Sequence, residues 1–447
     1  MHKSVHEVAR ATEIFGEYDV VILGGGPAGI AAATSAAQLG RSALLIERYG
    51  FLGGMGTAAG VTNFCGLHAN VLGEHRRVVE GVAAELLDRI DRYGGLNEPH
   101  LVLGRICAQA YDTPAYKMAA DDLVLSSGAD VLFHALGAGV IMDTSSRVKA
   151  LLIETKSGRR AVIGQMFIDC SGDGDLSAWA GAPFEIGDGT GNMLYPSSMF
   201  RINGVDPARV DHSWSAFAQL MAVEAERRGR PFPRKSPIIR PQKNPVEWRA
   251  NVTQLAREDG RAISGIDAHD LSQGEIMGRR QIADIFDFIK TVPGFEQSYV
   301  VDIAPQIGIR ETRRVLGDYV LTERDVLDCN DFDDTIGVNG WPLEVHTRGD
   351  VRFEFAPEGS RGFNHLPFQM LLATGFDNLL VAGRCASMTH LGQSAARVSG
   401  ACFVMGQGAG TAAAIALDAG VAPRAIKVAA LQEQLRLDGA YLGDNAG

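Results

Sequence analysis

Apolar runs and glycine breaks alternate from the start of the chain. Residues 18–23, YDVVIL, form a short β-branched apolar run that predicts a buried strand. Residues 31–39 are alanine-rich and carry no internal breaker, so they predict a helix that Gly40 ends. Residues 42–47, SALLIE, predict a second buried strand. This order of strand, helix and strand predicts the first unit of a Rossmann-like α/β fold.

The loop between the first strand and the helix carries glycines in the G-x-G-x-x-G spacing, at Gly24, Gly26 and Gly29. The first glycine permits a tight turn, the second lets the backbone approach a pyrophosphate, and the third lets helix and strand pack closely. Glu47 ends the second strand about 20 residues further on, where an acid accepts a hydrogen bond from a ribose hydroxyl. Because all these features occur in order, the pattern predicts a dinucleotide site rather than a chance glycine turn.

Periodicity and turn signals predict further elements along the chain. Ser272 and Glu275 have the spacing of a capping box and predict the start of a helix that runs to about Lys290. The other predicted elements are helices over 79–92, 115–127 and 425–442, and strands within 130–143, 147–172 and 379–382.

The glycine- and alanine-rich texture is interrupted over residues 186–365, which are richer in proline, tryptophan and charge. We therefore predict a nucleotide-binding domain in two parts, 1–185 and 366–447, around an inserted substrate or cap domain at 186–365. The insertion contains a basic run, RRGRPFPRKSPIIRPQK at 227–243. We interpret this run as a solvated surface loop, with contact to an anionic partner as the alternative.

Composition restricts the class of partner. The chain has 447 residues and a net charge of −11, which argues against a nucleic-acid partner. The uncharged stretch 398–417 is long enough to span a bilayer, but its glycines and polar residues favour a buried helix and no membrane partner. The six cysteines form no C-x-x-C pair, so no metal site is predicted, and a reducing, cytoplasmic location is expected. Self-association as a homo-oligomer is left open.

Five stretches of the chain, at 18–33, 51–61, 167–183, 307–326 and 379–410, together resemble a known family. They are similar to the FAD-dependent oxidoreductase family of the glutathione-reductase-type FAD superfamily, with distant similarity to fumarate-reductase and heterodisulfide-reductase flavoproteins. The resemblance implies an α/β fold with a Rossmann-like, glutathione-reductase-type FAD-binding domain and an inserted α+β substrate or cap domain. It also implies FAD as the cofactor. No second G-x-G-x-x-G motif follows a strand, so no resident NAD(P)H domain is expected.

The same resemblance implies two sets of FAD-binding residues. The ADP half is expected at Gly24, Gly26, Pro27, Ala28, Gly29, Glu47, Arg48, Gly53, Gly54 and Gly137. The ribityl chain and ring are expected at Gly172, Asp173, Gly383, Arg384, Gly406, Gly408 and Ala409, in a turn that ends at Gly410. A helix N-terminus directed at the flavin pyrimidine would stabilise the negative charge that reduction places there.

A flavin that accepts a hydride needs a protein base for the departing proton. His390 is the first candidate for this base or for substrate contact, and the alternative is a histidine bonded to a backbone carbonyl. Arg397 is a candidate anchor for a carboxylate or for flavin charge, with a buried ion pair as the alternative. Arg310, in the run IRETRR, is the candidate of that run to face the pocket.

Four more residues are weaker candidates. His346 and His365 fall near the return into the nucleotide-binding domain and are expected to be structural rather than catalytic. Cys65 and His68 have side chains that can tether a flavin covalently, although noncovalent binding is expected.

The leading functional hypothesis is an FAD enzyme that removes a hydride and a proton from a small organic substrate. The arginine candidates favour a substrate that bears a carboxylate, and the electron acceptor is not identified. The alternatives are a reductase of an activated double bond with an external electron donor, and a flavin electron-transfer subunit of a larger complex. A chain that has lost FAD and only binds is disfavoured by the intact glycines and Glu47.

Overall fold

The computed structural model describes residue 5, residues 9–210 and residues 217–443. The strands are β1 Glu13–Leu23, β2 Ala43–Ile46, β3 Asn63–Cys65, β4 His68–Val71, β5 Glu74–Arg77, β6 Leu96–Val102, β7 Ile106–Tyr111, β8 Asp130–Leu132, β9 Leu136–Thr144, β10 Arg147–Thr155, β11 Gly158–Asp169, β12 Phe184–Ile186, β13 Phe200–Asn203, β14 Ile238–Pro241, β15 Trp248–Asn251, β16 Tyr299–Ile303, β17 Arg313–Val315, β18 Thr335–Asn339, β19 Leu343–Thr347, β20 Asp350–Glu354, β21 Asn364–Pro367 and β22 Leu379–Val381.

The helices are α1 Pro27–Gln38, α2 Met55–Ala58, α3 Val82–Arg92, α4 Thr113–Ser126, α5 Asp175–Ala180, α6 Phe217–Arg227, α7 Ala268–Ile289, α8 Glu323–Leu327, α9 His390–Ala396, α10 Ser399–Ala419 and α11 Val428–Leu437, with 3-10 turns at Phe368–Leu371 and Pro423–Ala425.

The main sheet has a parallel half built on β1. β1 pairs in parallel with β2 and with β11, β2 pairs with β8, and the end of β11 pairs with β22. The fully buried ALLI run of β2 shows why these strands are apolar throughout, since parallel strands are covered on both faces. The antiparallel strands β9 and β10 continue the sheet beside the first half of β11. The Rossmann-like α/β fold predicted from the sequence is therefore confirmed.

Helices α1 and α10 pack against each other through small residues. A Cβ at Gly406 would lie 2.1 Å from the Ala28 carbonyl oxygen, and one at Gly410 would lie 2.3 Å from the Ala32 carbonyl oxygen. The C-terminal glycine run thus lets two helix backbones approach closely. The predicted turn over these glycines is wrong, because they lie in the interior of α10.

Helix α10 is the uncharged stretch noted in the sequence. Within the described part of the chain it is the helix long and apolar enough to cross a membrane, and 89% of its most apolar window is buried inside the protein. The core helix of a soluble protein passes the same test. Its packing against α1 follows the prediction of a buried helix.

A second sheet lies in the predicted insertion, in the order β14-β15-β13-β16. Its apolar side packs with α7 in a separate core that includes Phe200, Trp248, Ile285 and Phe295. The core of the main sheet also takes in residues from 315 to 366, so the exact domain bounds stay a prediction.

Helix α7 begins earlier than the sequence predicts. Asp267 is its N-cap and accepts a hydrogen bond from the Asp270 backbone N–H. Ser272 lies inside the helix, where its hydroxyl donates to the Ala268 carbonyl at 2.8 Å. The predicted capping box at Ser272 and Glu275 is therefore wrong, because an aspartate five residues earlier already satisfies the first turn.

Candidate active site

A large cavity lies at the carboxyl ends of the parallel strands, where open α/β sheets bind their ligands. Its walls include the turns that follow β1, β2, β11 and β22. The cavity extends beyond the sheet to residues of β14, β15 and β19, and its empty space with the mouth is about 1920 Å³. One cavity therefore joins the glycine loop to the inserted region.

The glycine loop has the geometry of a diphosphate site. Gly24 has a φ of +105°, and a Cβ there would lie 2.4 Å from the Cys170 carbonyl oxygen. Gly26 is the N-cap of α1 and offers no side-chain hydrogen bond, so the first N–H groups of the helix need an outside partner. An anion bound at the positive end of the helix would supply that partner. The loop thus fits the diphosphate of FAD.

Glu47 closes the loop from the next strand. It is 6% exposed and lines the cavity, and its Oε2 accepts a hydrogen bond from the Gly25 N–H at 2.7 Å. Burial raises the pKa of Glu47, while the N–H groups of Gly25 and Tyr49 act in the opposite direction. The carboxylate both holds the loop and faces the space where a ribose would lie.

Arg384 is positioned by the turn after β11. Its Nη2 donates to Asp173 Oδ1 at 2.8 Å, and its Nη1 donates to the Ile309 carbonyl at 2.8 Å. Thr312 Oγ1 donates to the same Asp173 oxygen at 3.0 Å. Arg384 and Gly172 line the cavity, whereas Asp173 lies behind Arg384 and lines a smaller adjoining cavity.

Most of the FAD-binding residues predicted from the sequence come together at this cavity. The residues that line it are Gly24, Gly26, Pro27, Ala28, Glu47, Arg48, Gly54, Gly137, Gly172, Gly383 and Arg384. The residues outside its lining are Gly29, Gly53, Asp173, Gly406, Gly408 and Ala409. The end of α10 that does reach the cavity is its N-terminus, at Val398 and Ser399.

His390 does not reach the cavity. Its Nδ1 lies 2.8 Å from Glu311 Oε2, and Glu311 also pairs with Arg314. Glu311 Oε2 further accepts the Leu194 N–H at 2.8 Å. His390 is therefore a partly exposed side chain bonded to Glu311 outside the cavity lining. This position does not support its predicted role as the base or a substrate contact.

Arg310 and Arg397 both line the cavity, as predicted. Arg310 is 7% exposed and donates to the Tyr195 carbonyl at 2.7 Å and to Ser197 Oγ at 2.9 Å. Arg397 Nη2 lies 3.4 Å from the Glu344 carbonyl oxygen, and its Nε has no partner within the described residues. Among the described residues, neither arginine forms the structural ion pair that was the alternative for Arg397.

A carboxylate–imidazole pair on β19 lies beside these arginines. His346 Nε2 and Glu344 Oε1 are 2.9 Å apart, and Trp341 Nε1 donates to Glu344 Oε2 at 2.9 Å. Burial would raise the pKa of Glu344, but the bond from His346 and the charge of Arg397 outweigh it and lower the pKa. Glu344 is therefore an acceptor, which assigns the proton of His346 to Nε2.

The surroundings of His346 favour its neutral form. Burial lowers its pKa well below the ordinary value, and the charge of Arg310 lowers it further, against the effect of Glu344. With the proton on Nε2, its Nδ1 is the nitrogen that can accept another. Glu344 was not a candidate in the sequence, although alternate positions of one strand share a face.

Two further arginines of the cavity were not recognised in the sequence. Arg240 on β14 and Arg249 on β15 line it, together with Asn251. Arg240 belongs to the basic run at 227–243, and Arg234 of that run is 1% exposed. The prediction of a solvated surface loop is therefore wrong for Arg234 and Arg240. The missed signal is an arginine inside each short apolar strand, PIIRP and WRAN.

The weaker candidates Cys65, His68 and His365 differ in whether they line the cavity. Cys65 lines the cavity, but burial raises the pKa of its thiol to about 12, which disfavours the thiolate needed for a covalent tether. His68 and His365 are outside the cavity lining. His365 Nδ1 accepts the Phe332 N–H at 3.2 Å, a structural role.

Comparison with known proteins gives a match over most of the chain. The model of a family described as FAD dependent oxidoreductase matches residues 19–435. Dihydrolipoyl dehydrogenase of Trypanosoma brucei brucei is 53% identical over 45 residues, which are 10% of this chain and 9% of that protein. A soluble pyridine nucleotide transhydrogenase of Mycobacterium bovis is 35% identical over 92 residues, 20% of each chain. The chain thus matches a fifth or less of the length of these relatives.

A solved structure also resembles the chain over most of its length. It is a geranylgeranyl bacteriochlorophyll reductase-like protein from Thermoplasma acidophilum, with 14% identity and a TM-score of 0.49, covering 95% of this chain and 84% of that one. The family model spans both glycine-rich parts of the chain, and the family indicates FAD as the cofactor. The chain belongs to the FAD-dependent oxidoreductase family.

Proposed function

We propose that the protein oxidises a small anionic organic substrate by removing a hydride and a proton, with noncovalent FAD as the hydride acceptor. The observation that carries the proposal is the continuity of the cavity. The same space is lined by Gly26 of the glycine loop and by His346 and Arg310 at its far end. A dinucleotide and a small substrate therefore have room side by side.

FAD, when bound along the glycine loop, supplies the hydride-accepting ring. The chain supplies the base and the anchors. His346 takes the substrate proton at Nδ1, because Glu344 holds its Nε2–H and favours the imidazolium that forms. Arg310 and Arg397 hold an anionic group of the substrate and so orient it.

The buried surroundings keep water from the reacting atoms. Trp341, Phe353 and Val398 line the cavity around this end. Exclusion of water strengthens the interactions of the arginines with an anion and prevents proton exchange with solvent.

The test is the visible spectrum of the purified, untagged protein before and after acid precipitation. Flavin bands that move to the supernatant as FAD establish a resident noncovalent cofactor. An anaerobic screen of hydroxy, amino and saturated carboxylic acids then looks for bleaching of those bands. A colourless protein that takes up no added FAD contradicts the proposal. Flavin left in the pellet contradicts its noncovalent part and points to Cys65.

A different outcome identifies the reverse chemistry. If no acid bleaches the flavin, the chemically reduced protein is mixed with unsaturated acids under nitrogen. Rapid reoxidation by such an acid, faster than by O₂, contradicts the proposed direction and establishes a reductase with an external electron donor.

A further inference from the structure

The inner end of the cavity carries an excess of positive charge. Arg240, Arg249, Arg310 and Arg397 line it, and Glu344 is the carboxylate beside them. Four guanidinium groups therefore face one carboxylate there. We call these four residues the arginine end of the cavity.

The partners of the arginine end are neutral oxygens. Arg240 Nη2 donates to the Thr62 carbonyl at 2.7 Å, and Arg249 Nε donates to Thr62 Oγ1 at 3.2 Å. Arg249 Nη2 also donates to the Val61 carbonyl. Across the described residues, Arg240 Nε, Arg249 Nη1 and Arg397 Nε are buried and have no hydrogen-bond partner. Buried, charged donors without partners are costly unless a ligand satisfies them.

The sheet itself brings like charges together. Arg240 on β14 is directly opposite Arg249 on β15, and Arg249 is directly opposite Arg201 on β13. Arg201 is neutralised by Glu247, whose Oε1 accepts from Arg201 Nε at 2.6 Å. Like charges directly opposite on paired strands destabilise a sheet. Among the described residues, Arg240 and Arg249 have no carboxylate partner of the kind that Arg201 has, and both of them line the cavity.

We propose that the arginine end binds a small organic dianion, a molecule with two carboxylates or with one phosphate monoester. One anionic group lies against Arg240 and Arg249, and the other charge is taken up by Arg310 and Arg397. This inference rests on the proposed function, since the dianion is the substrate of the same site. The four arginines and Glu344 together carry three excess positive charges. If one of these charges offsets the negative charge of a reduced flavin, two remain for the substrate.

The test measures binding rather than turnover. Succinate and glycerol 3-phosphate are titrated into the protein as purified, with its flavin, by calorimetry at constant ionic strength. Succinamate, the monoamide of succinate, is the monoanionic probe of matched size. At least one dianion is expected to bind about tenfold or more tightly than succinamate, and the tighter of the two identifies the class.

The variants are Arg249→Gln and Arg240→Gln, with Arg201→Gln as the matched control from the same rung of the sheet. Each of the first two is expected to lose the preference for the dianion, about tenfold, and Arg201→Gln is expected to keep it. Equal binding of dianion and monoanion by the unmodified protein overturns the inference. So does a preference that survives Arg249→Gln, or one that Arg201→Gln removes equally.

The experiments distinguish a failure of this inference from a failure of the proposed function. If Arg249→Gln lowers the FAD content and the unmodified protein shows no preference for dianions, the arginine end serves the cofactor and the inference is overturned. If dianions bind as expected but bleach no flavin, the site is established and the proposed oxidation is contradicted.

Discussion

Arg240 and Arg249 face each other across the antiparallel strands β14 and β15, both at the cavity, and neither has a carboxylate partner among the described residues. Burial and the charge of Arg249 lower the pKa of the Arg240 guanidinium. Two guanidinium groups without a carboxylate between them repel each other and do not form a structural ion-pair network. An anionic ligand that binds both guanidinium groups would offset the cost of burying two like charges together.

This pair predicts that Arg249→Gln is tolerated by the fold. The variant loses hydrogen bonds to Val61 and Thr62, but it also removes a buried charge and its repulsion from Arg240. We expect the free energy of unfolding without ligand to change by about 1 kcal/mol or less. Urea denaturation of the variant and of the unmodified protein measures this change. A loss of about 3–5 kcal/mol is typical of a broken buried ion pair and would contradict this view.

His346→Gln is expected to slow flavin reduction by the substrate from the bleaching screen about 10²–10⁴-fold, because the variant lacks the proton acceptor. The FAD content is expected to be unchanged. Stopped-flow absorbance measures the rate, and His390→Gln is the control, since His390 is bonded to Glu311 behind the cavity. Equal losses in the two variants would remove His346 from the mechanism.

The rate of flavin reduction is also expected to depend on pH through the protonation of His346. Burial and the charge of Arg310 lower its pKa below the ordinary 6.5. The base is active when neutral, so the rate rises with pH as His346 loses its proton, with a midpoint below 6.5. His346→Gln is expected to lose this limb of the profile, whereas a purely structural histidine would leave it in place.

We expect Asp175 to make the folded protein less stable as the pH rises, which is the opposite of the usual effect of a carboxylate. Burial and the neighbouring Asp173 raise its pKa from 3.8 to about 6. Between these values the unfolded chain has released the proton and the folded chain keeps it, so the stability contributed by Asp175 falls as pH rises through this window. Asp175→Asn avoids the loss, although it gives up the 2.8 Å bond from Arg313.

We therefore expect Asp175→Asn to gain up to about 3 kcal/mol over the unmodified protein between pH 4 and pH 7. Urea denaturation at the two pH values measures the difference in free energy of unfolding. A difference that does not change with pH contradicts the prediction.

Gly410 and Gly408 provide a matched pair in α10. A Cβ at Gly410 meets the Ala32 carbonyl of α1 at 2.3 Å, whereas one at Gly408 meets the flexible end of Ile336 at 2.8 Å. Gly410→Ala is expected to lose about 1–3 kcal/mol and to retain less FAD, because it displaces the helix behind the glycine loop. Gly408→Ala is expected to lose less, since alanine favours a helix by up to about 1 kcal/mol over glycine. Equal thermal shifts for the two variants would contradict the role assigned to Gly410.

The sequence predicted the nucleotide half well because the constraints there are local. Gly24, Gly26 and Glu47 lie within one strand–helix–strand unit, and their spacing follows from backbone geometry alone. Arg310 and Arg397 were also named from the sequence, Arg310 because it follows an apolar strand and Arg397 because an arginine among small residues is not typical of a surface. The glycines of α10 misled the prediction, because spacing cannot distinguish contact with a cofactor from contact with another helix.

The substrate end was decided by tertiary structure. Arg240 and Arg249 are neighbours only because β14 pairs with β15, and their strand registers place both at the cavity. His346 and His390 are both candidate histidines in the sequence, and only packing places the first at the cavity and the second against Glu311. Local spacing thus determined where a dinucleotide binds, while long-range strand pairing decided which charges meet the substrate, because a charge acts through space and not along the chain.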